Sequence, residues 1–208
     1  MKSIELKTSL LLGFFVSAIL LSNLLGNKIT TLFGVRVSVA IFVFPFLFLI
    51  TDIIEEVHGK KRAQSFVLIG LICLILTLIV TFVSIKVAPN TSWEFQEQYE
   101  IIFGASLRMM VASLIAFLIS QTHDVWAFNF WKEKTGGKYL WLRNNASTIV
   151  SQFLDTTVFM FIAFYQFTPK FTVPFIFSLI IPYWLFKVLF AIIDTPFIYL
   201  GVWWLKKR

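Results

Sequence analysis

The chain has 208 residues, of which 58% are hydrophobic and 14% are charged, and it contains 25 Phe and 7 Trp. Soluble domains carry about 25% charged residues, so this composition excludes a soluble domain and indicates a polytopic membrane protein. Apolar runs near the ~20 residues that cross ~30 Å of hydrocarbon occupy most of the chain. We therefore expect residues 1–208 to form a single transmembrane domain.

The formal charge of +7 does not indicate a nucleic acid partner, because the basic residues sit in short clusters beside apolar runs. That distribution is typical of cytoplasmic loops. Cys73, the single cysteine, lies inside an apolar run and predicts neither an internal disulfide nor a metal site. We expect the lipid bilayer to be a partner of the chain, and two copies of so small a bundle could also form a homodimer in the membrane.

Six membrane spans are predicted in chain order. They cover residues 8–26, 37–57, 63–87, 105–131, 146–167 and 174–205. The predicted fold class is an all-α integral membrane protein built as a bundle of six transmembrane helices. The last span is long enough to tilt, or to bend at Pro182 or Pro196, because proline removes a helix hydrogen bond.

The longest predicted outer connection covers residues 88–104. Glu94, Glu97 and Glu100 recur there at helical spacing among aromatic residues. This pattern favours an amphipathic helix lying in the membrane interface, and a gate is the alternative.

Lysine and arginine residues outside the spans predict the orientation. With the N-terminus in the cytoplasm, twelve of them fall on the cytoplasmic side and four on the other. The twelve are Lys2, Lys7, Lys60, Lys61, Arg62, Lys132, Lys134, Lys138, Arg143, Lys206, Lys207 and Arg208, and the four are Lys28, Arg36, Lys86 and Lys170. Cytoplasmic loops are enriched in basic residues, so we expect both termini in the cytoplasm.

Span five carries a polar stripe that ends on a carboxylate. At 100° per residue, Asn144, Thr148, Ser151 and Asp155 fall within about 60° of one another, and Gln152 flanks them. The stripe rises about 16 Å at 1.5 Å per residue, which predicts Asp155 near the midplane. A charge at that depth costs ~2.5 to 3.5 kcal/mol on insertion scales, so it usually faces a bundle interior, a cavity or a partner.

Other spans show comparable polar faces. They are Ser38, Pro45, Asp52 and Glu56 in span two, Ser106, Ser113, Ser120 and Asp124 with Gln121 in span four, and Tyr183, Lys187, Ala191 and Asp194 in span six. We expect these faces to surround a central site. The structural alternative is that serines and threonines bond their own backbone, and that Lys187 and Arg108 only neutralise aspartates. For Asp155 function is favoured, since it could take a proton, hold a cation or accept two hydrogen bonds from a solute.

Enzyme signatures are missing from the sequence. It contains no G-x-S-x-G elbow, no H-E-x-x-H zinc helix and no phosphate-binding glycine loop. His58 and His123 lack metal-ligand spacing, and we expect His58 to be solvated and His123 to be a polar neighbour of the site. The sequence therefore predicts no enzyme, no cofactor and no metal.

Five segments resemble, in the same order, those of the bacterial queuosine precursor transporters. They are "SNLLGNK", "FPFLFLITDIIEEVHGKKRA", "RMMVASLIAFLISQTHDVWAFN", "RNNASTIVSQFLDTTVFMFIAF" and "FKVLFAIIDTPFIY". The resemblance implies a multi-pass importer of the bacterial inner membrane that carries the 7-deazaguanine bases preQ0 and preQ1. It also implies that the family's polar positions correspond to Ser22, Asn23, Asp52, Arg108, Gln121, Asp124, Ser147, Thr148, Ser151, Asp155 and Lys187. His123, Gln152 and Asp194 depart from the residues that the family commonly has there.

The predicted base-binding set follows from this resemblance together with the polar faces. It consists of Asn23, Asp52, Gln121, Asp124, Thr148, Ser151, Gln152, Asp155 and Lys187. A carboxylate can accept the adjacent N1–H and exocyclic amine of a deazaguanine, while Lys187 or an amide donates to its O6. The rings that could stack on the base are Trp126, Phe128, Phe153, Trp184 and Phe186.

Two alternative functions stay open at this point. Small six-span proteins also serve as substrate-capture subunits of ATP-driven transporters for vitamins or nucleobases. The other alternative is a structural membrane protein whose buried charges only fix the register of its helices.

Overall fold

The computed structural model describes residues 2–136 and 140–207. Within those residues the elements are α1 (Lys2–Leu25), β1 (Ile29–Leu32), β2 (Val35–Ser38), a 3-10 turn (Val39–Phe42), α2 (Phe44–His58), α3 (Lys60–Lys86), α4 (Gln96–Lys134), α5 (Leu140–Phe164), α6 (Val173–Ile193) and α7 (Thr195–Lys206). The predicted class of helical membrane protein is confirmed.

Four helices in the described ranges are long and apolar enough to cross a membrane. Their apolar parts are Ile4–Leu25, Lys60–Lys86, Gln96–His123 and Val173–Phe190, and α5 contributes the shorter apolar stretch Ile149–Phe164. Helix α2 has 15 residues, fewer than the ~20 that a perpendicular helix needs to cross the hydrocarbon. The arrangement of six spans and the cytoplasmic termini stay predictions.

The chain divides into two compact units. Unit 1 contains the residues up to Met110 and from Leu189 onward, and unit 2 contains Val111–Val188. Helices α4 and α6 therefore each contribute residues to both units. This division does not test the prediction of a single domain.

Unit 1 is built around an apolar core from α1, α2, α3 and α7. Phe15, Ile54, Phe66 and Leu205 are nearly inaccessible to solvent within it. Only Gly59 separates α2 from α3, and its φ of 83° is a conformation that a side chain disfavours. The chain turns sharply at this glycine, and the two helices pack against each other in the core of unit 1.

A β-hairpin follows α1, and the sequence analysis did not predict it. Leu32 pairs with Val35, so Phe33 and Gly34 form the two-residue turn, with φ values of 50° and 81°. Positive φ at both positions is the pattern of a type I′ turn, whose twist matches that of the strands.

The predicted start of span two at residue 37 is wrong. Val37 and Ser38 belong to β2, and the chain then makes a 3-10 turn that begins with the Ser38 hydroxyl accepting a hydrogen bond from the Ala40 N–H. Helix α2 begins only at Phe44. Pro45 suits that position because the first turn of a helix has no use for its missing N–H.

The predicted last span, residues 174–205, is divided into two helices. Helix α6 ends at Ile193 and α7 begins at Thr195, with Asp194 between them and Pro196 in the first turn of α7. Pro182 lies inside α6 without ending it. Asp194 therefore does not share a helical face with Lys187. The prediction that Asp194 belongs to the polar face of span six is wrong.

Of the interfacial helix predicted over residues 88–104, only the second half is helical, and it is the start of a longer helix rather than a separate one. Residues 87–95 are not helical, and α4 begins at Gln96 and runs without interruption for 39 residues. Glu97 and Glu100 thus belong to the first turns of a membrane-crossing helix. The Tyr99 hydroxyl donates to Ser84 Oγ at 3.0 Å, which links the start of α4 to the end of α3.

Candidate functional site

A cluster of polar side chains lies in unit 2, where α4, α5 and α6 each contribute to it. At its centre the Asp155 Oδ2 atom of α5 lies 2.8 Å from the Lys187 Nζ atom of α6. The Ser120 hydroxyl of α4 donates to Asp155 Oδ1 at 3.4 Å, a long hydrogen bond. We refer to Ser120, His123, Ser151, Asp155 and Lys187 as the unit 2 polar cluster.

The two charges of the ion pair differ in their access to solvent. The Lys187 side chain is 5% exposed, whereas that of Asp155 is 24% exposed. Because an isolated buried ammonium is very unfavourable, the Asp155 carboxylate is the counter-ion that Lys187 needs at this position. The accessible side of the pair is therefore the carboxylate, and chiefly a negative group is presented to an approaching solute.

A second polar contact lies one helical turn along. The His123 ring Nδ1 lies 3.0 Å from the Ser151 hydroxyl, and Ser151 is buried. Ser120 and His123 are three residues apart on α4, and Ser151 and Asp155 are four apart on α5, so each pair shares a helical face. The two contacts form a ladder between antiparallel helices, and the predicted stripe of α5 faces α4 at Ser151 and Asp155.

Gln152 flanks this ladder on α5 and carries an unused acceptor. Its side-chain Oε1 is buried and has no hydrogen-bond partner among the described residues. Its backbone carbonyl accepts the Thr156 hydroxyl at 2.8 Å. A buried acceptor left unpaired costs ~1 to 3 kcal/mol, and such groups commonly bind a water, an ion or a solute.

Thr157 was missed by the sequence analysis. Its Oγ1 is also buried and has no partner in the described ranges. At 100° per residue it points about 200° away from Asp155, so it does not belong to the same face. A threonine inside a helix usually bonds the backbone four residues earlier, and no sequence signal distinguishes one that does not.

Aromatic residues of unit 2 pack beside this face. The Phe153 and Trp184 rings meet edge to face with centroids 5.6 Å apart, and Trp184 Nε1 donates to the Ile149 carbonyl at 3.4 Å. Trp126 lies next to His123, with ring centroids 5.8 Å apart, and is largely exposed. Of the rings predicted to stack on a base, Trp184 thus has the best-defined orientation, and the Phe128 side chain lies outside the described residues.

The other predicted site residues are distributed as follows. Gln121 is exposed on α4. The side chains of Asp124 and Thr148 lie outside the described part of the chain. Asn23 and Asp52 belong to unit 1, where Asp52 is exposed and Asn23 is buried with its Oδ1 unpaired among the described residues. Of the predicted set, the structure brings Ser151, Asp155 and Lys187 into the polar cluster.

Several polar residues of the predicted polar faces and motifs make hydrogen bonds within unit 1. Asn27 Nδ2 donates to Ser106 Oγ at 3.2 Å, and that hydroxyl donates to the Leu24 carbonyl at 2.8 Å. The Ser22 hydroxyl donates to the Ile19 carbonyl at 2.8 Å. The segment "SNLLGNK", which is one of the segments that resemble the family, therefore also links the end of α1 to α4.

His58 was expected to be solvated, and its side chain is exposed, but the structure also gives it a partner. Its Nε2 lies 2.9 Å from the hydroxyl of buried Thr8, so it links the end of α2 to the start of α1. Among the described residues, no group of three or more histidine, cysteine, aspartate or glutamate side chains could hold a metal ion.

Comparison with known proteins gives consistent results. A family model described as "Putative vitamin uptake transporter" matches residues 38–201. The "Probable queuosine precursor transporter" of Bacillus subtilis (strain 168) is 32% identical over 90% of this chain and 82% of its own length. The "Queuosine precursor transporter" of Escherichia coli (strain K12) is 27% identical over 86% of this chain and 79% of its own length. No solved structure matches the chain.

Proposed function

The chain belongs to the family described as "Putative vitamin uptake transporter", and on that premise we propose that it imports the queuosine precursors preQ0 and preQ1 across the bacterial inner membrane. Its relatives in two bacteria are named for queuosine precursor transport, and they support this choice of solute. Transporters are generally not enzymes, and the proposal includes no chemical step on the base.

The observation that carries the proposal is the partly accessible carboxylate of Asp155. Lys187 occupies Oδ2 at 2.8 Å, while among the described residues Oδ1 receives the long hydrogen bond from Ser120 alone. A carboxylate has about four lone-pair positions, so Oδ1 keeps acceptor capacity. The N1–H and exocyclic amine of a deazaguanine lie side by side and can donate to it.

In this proposal Lys187 positions Asp155, whereas the sequence analysis expected it to donate to the O6 of the base. Its ammonium group is buried and bonded to Asp155, so it holds the carboxylate in position. The carboxylate can then accept N–H bonds from the base at its other oxygen. Donation from Lys187 to the base O6 is not required.

The rest of the base would be held by groups from α5 and α6, and residues of α4 and α5 would position the cluster. The unpaired Oε1 of Gln152 can accept a further N–H, which would remove the cost of leaving it unsatisfied. Trp184, oriented by its bond to Ile149, offers an aromatic face on which a planar base can stack. Ser120 and Ser151 would fix the position of the carboxylate and of His123.

Uptake by purified protein in sealed liposomes tests this proposal. We expect saturable accumulation of labelled preQ0 by the unmodified chain, and loss of it in Asp155→Asn. The matched control is Thr122→Ala, because Thr122 lies on α4 near the cluster but is exposed and bonds only its own backbone. Full uptake by Asp155→Asn, at equal amounts of inserted protein, would remove Asp155 from the binding site.

The same assay separates the two alternative functions. Uptake without any added protein excludes an obligatory ATP-driven partner, whereas binding without uptake would make the chain a capture subunit. A calorimetric titration in detergent that shows no saturable binding of preQ0 would leave the structural alternative. Pairing of two chains in the membrane stays a prediction.

A further inference from the structure

The β1–β2 hairpin is fixed at its base by bonds to neighbouring elements of unit 1. The Val39 N–H donates to the Lys28 carbonyl at 2.9 Å, and the Ser38 hydroxyl donates to the Gly26 carbonyl. Asn27 donates to the Ile102 carbonyl and to Ser106 on α4. The hairpin is therefore a defined projection from the end of α1.

Phe33, at the tip of this projection, has an unfavourable backbone conformation. Its φ is 50°, and glycine, asparagine and aspartate are the usual residues at that position of a type I′ turn. Its side chain is fully exposed, with a relative accessibility of 104%. Contacts within the chain thus do not compensate for the strain, and a contact outside the chain is the physical reason to look for.

The surroundings of Phe33 show which chemistry that contact has. Leu32 and Val35 pair directly beside it, so the tip of the hairpin is apolar. Lys28, at the base, is exposed and basic. An apolar tip with a basic residue behind it is the pattern of a segment that lies at the boundary between lipid headgroups and acyl chains.

The position of the hairpin relative to the membrane spans agrees with that partner. Its first strand begins four residues after the apolar part of α1 ends at Leu25, and Leu25 is itself exposed and apolar. The exposed apolar surface of α1 therefore lies directly before the hairpin along the chain.

We propose that the hairpin tip, formed by Leu32, Phe33 and Val35, inserts into the lipid bilayer at the headgroup boundary. The hairpin then acts as an anchor that fixes the depth of α1 and, through Asn27 and Ser106, that of α4. The anchor is independent of which solute the chain carries. Its partner is the lipid surface, and a second copy of the chain is the competing occupant.

Site-directed spin labelling tests the depth of the tip, and the single cysteine makes it practicable. In the full chain with Cys73→Ser, a nitroxide is attached to Phe33→Cys, and the protein is placed in vesicles of phosphatidylcholine and phosphatidylglycerol. The control label is at Ser92→Cys, in the polar connection that follows α3, where Ser92 is exposed. Collisions with oxygen, which concentrates in acyl chains, are compared with collisions with a water-soluble nickel chelate.

The expected result is that the label at position 33 collides more with oxygen and less with nickel than the label at position 92. The proposal is overturned if both labels show the same high accessibility to nickel. It is also overturned if the label at position 33 shows spin–spin broadening that disappears on dilution with unlabelled protein. In that case a second copy of the chain covers the tip.

Discussion

Removal of either member of the Asp155–Lys187 ion pair should destabilise unit 2, and the loss of stability should depend on which member is removed. Breaking a buried pair costs ~3 to 5 kcal/mol because it leaves a charge without compensation. Asp155→Asn leaves the ammonium of Lys187, which is 5% exposed, whereas Lys187→Met leaves a carboxylate that is 24% exposed. We therefore expect Asp155→Asn near the upper end of that range and Lys187→Met near or below the lower end.

The double variant Asp155→Asn/Lys187→Met should be more stable than the sum of the single variants predicts. Residues in direct contact show interaction energies of ~0.5 to 3 kcal/mol, and a short buried pair belongs at the upper end. Thermal unfolding in a fixed detergent, followed by the amount of protein that remains monodisperse, measures all three variants. Lys170→Met is the control, because Lys170 is exposed and outside the helices. Additivity of the two single changes within about 0.5 kcal/mol would refute the reasoning.

Three further changes test other contacts by unfolding or uptake. Gly201→Ala should destabilise unit 1 by ~1 to 3 kcal/mol, because the Cβ of the new alanine would collide with Ile53. Gly13→Ala is the control, since open space surrounds Gly13, and it should be neutral or stabilising by up to ~1 kcal/mol. Equal unfolding midpoints for the two variants would contradict this prediction. Asn27→Ala should lower the unfolding midpoint by the equivalent of ~1 to 2 kcal/mol, while the KM for uptake stays unchanged. A raised KM with an unchanged midpoint would contradict the structural role of Asn27. Ser151→Ala should raise the KM for preQ0 because His123 loses its partner, and an unchanged KM together with a lowered midpoint would make that contact purely structural.

Much of the helical organisation could be predicted from the sequence, because hydropathy and the period of 3.6 residues are local properties. Helices α1, α3 and α5 lie close to the predicted spans 8–26, 63–87 and 146–167. The polar stripe of α5 was predicted in the same way, and the structure places Ser151 and Asp155 of that stripe against α4. Recognition of the family likewise depended on the order of short segments along the chain.

What could not be predicted depends on local breaks and on distant partners. The strands of the hairpin are four residues each, and the apolar residues of β2 continue into those of α2, so periodicity does not separate them. The break between α6 and α7 falls beside Pro196, one of the two prolines at which the sequence predicted a possible bend, but helical periodicity did not show that Asp194 would lie outside both helices. The pairing of Asp155 with Lys187 joins residues 32 positions apart, and helical periodicity carries no information about such contacts.

The ion pair between α5 and α6 also has a consequence for how the chain enters the membrane during synthesis. Helix α6 carries Lys187 within its apolar stretch, and α5 carries Asp155 within its own. Inserted singly, each would place a bare charge in hydrocarbon at a cost of ~2.5 to 3.5 kcal/mol. Inserted as a hairpin, the two helices cancel each other's charge. The insertion machinery is thus expected to hold α5 until α6 has been synthesised and to release them into the lipid together.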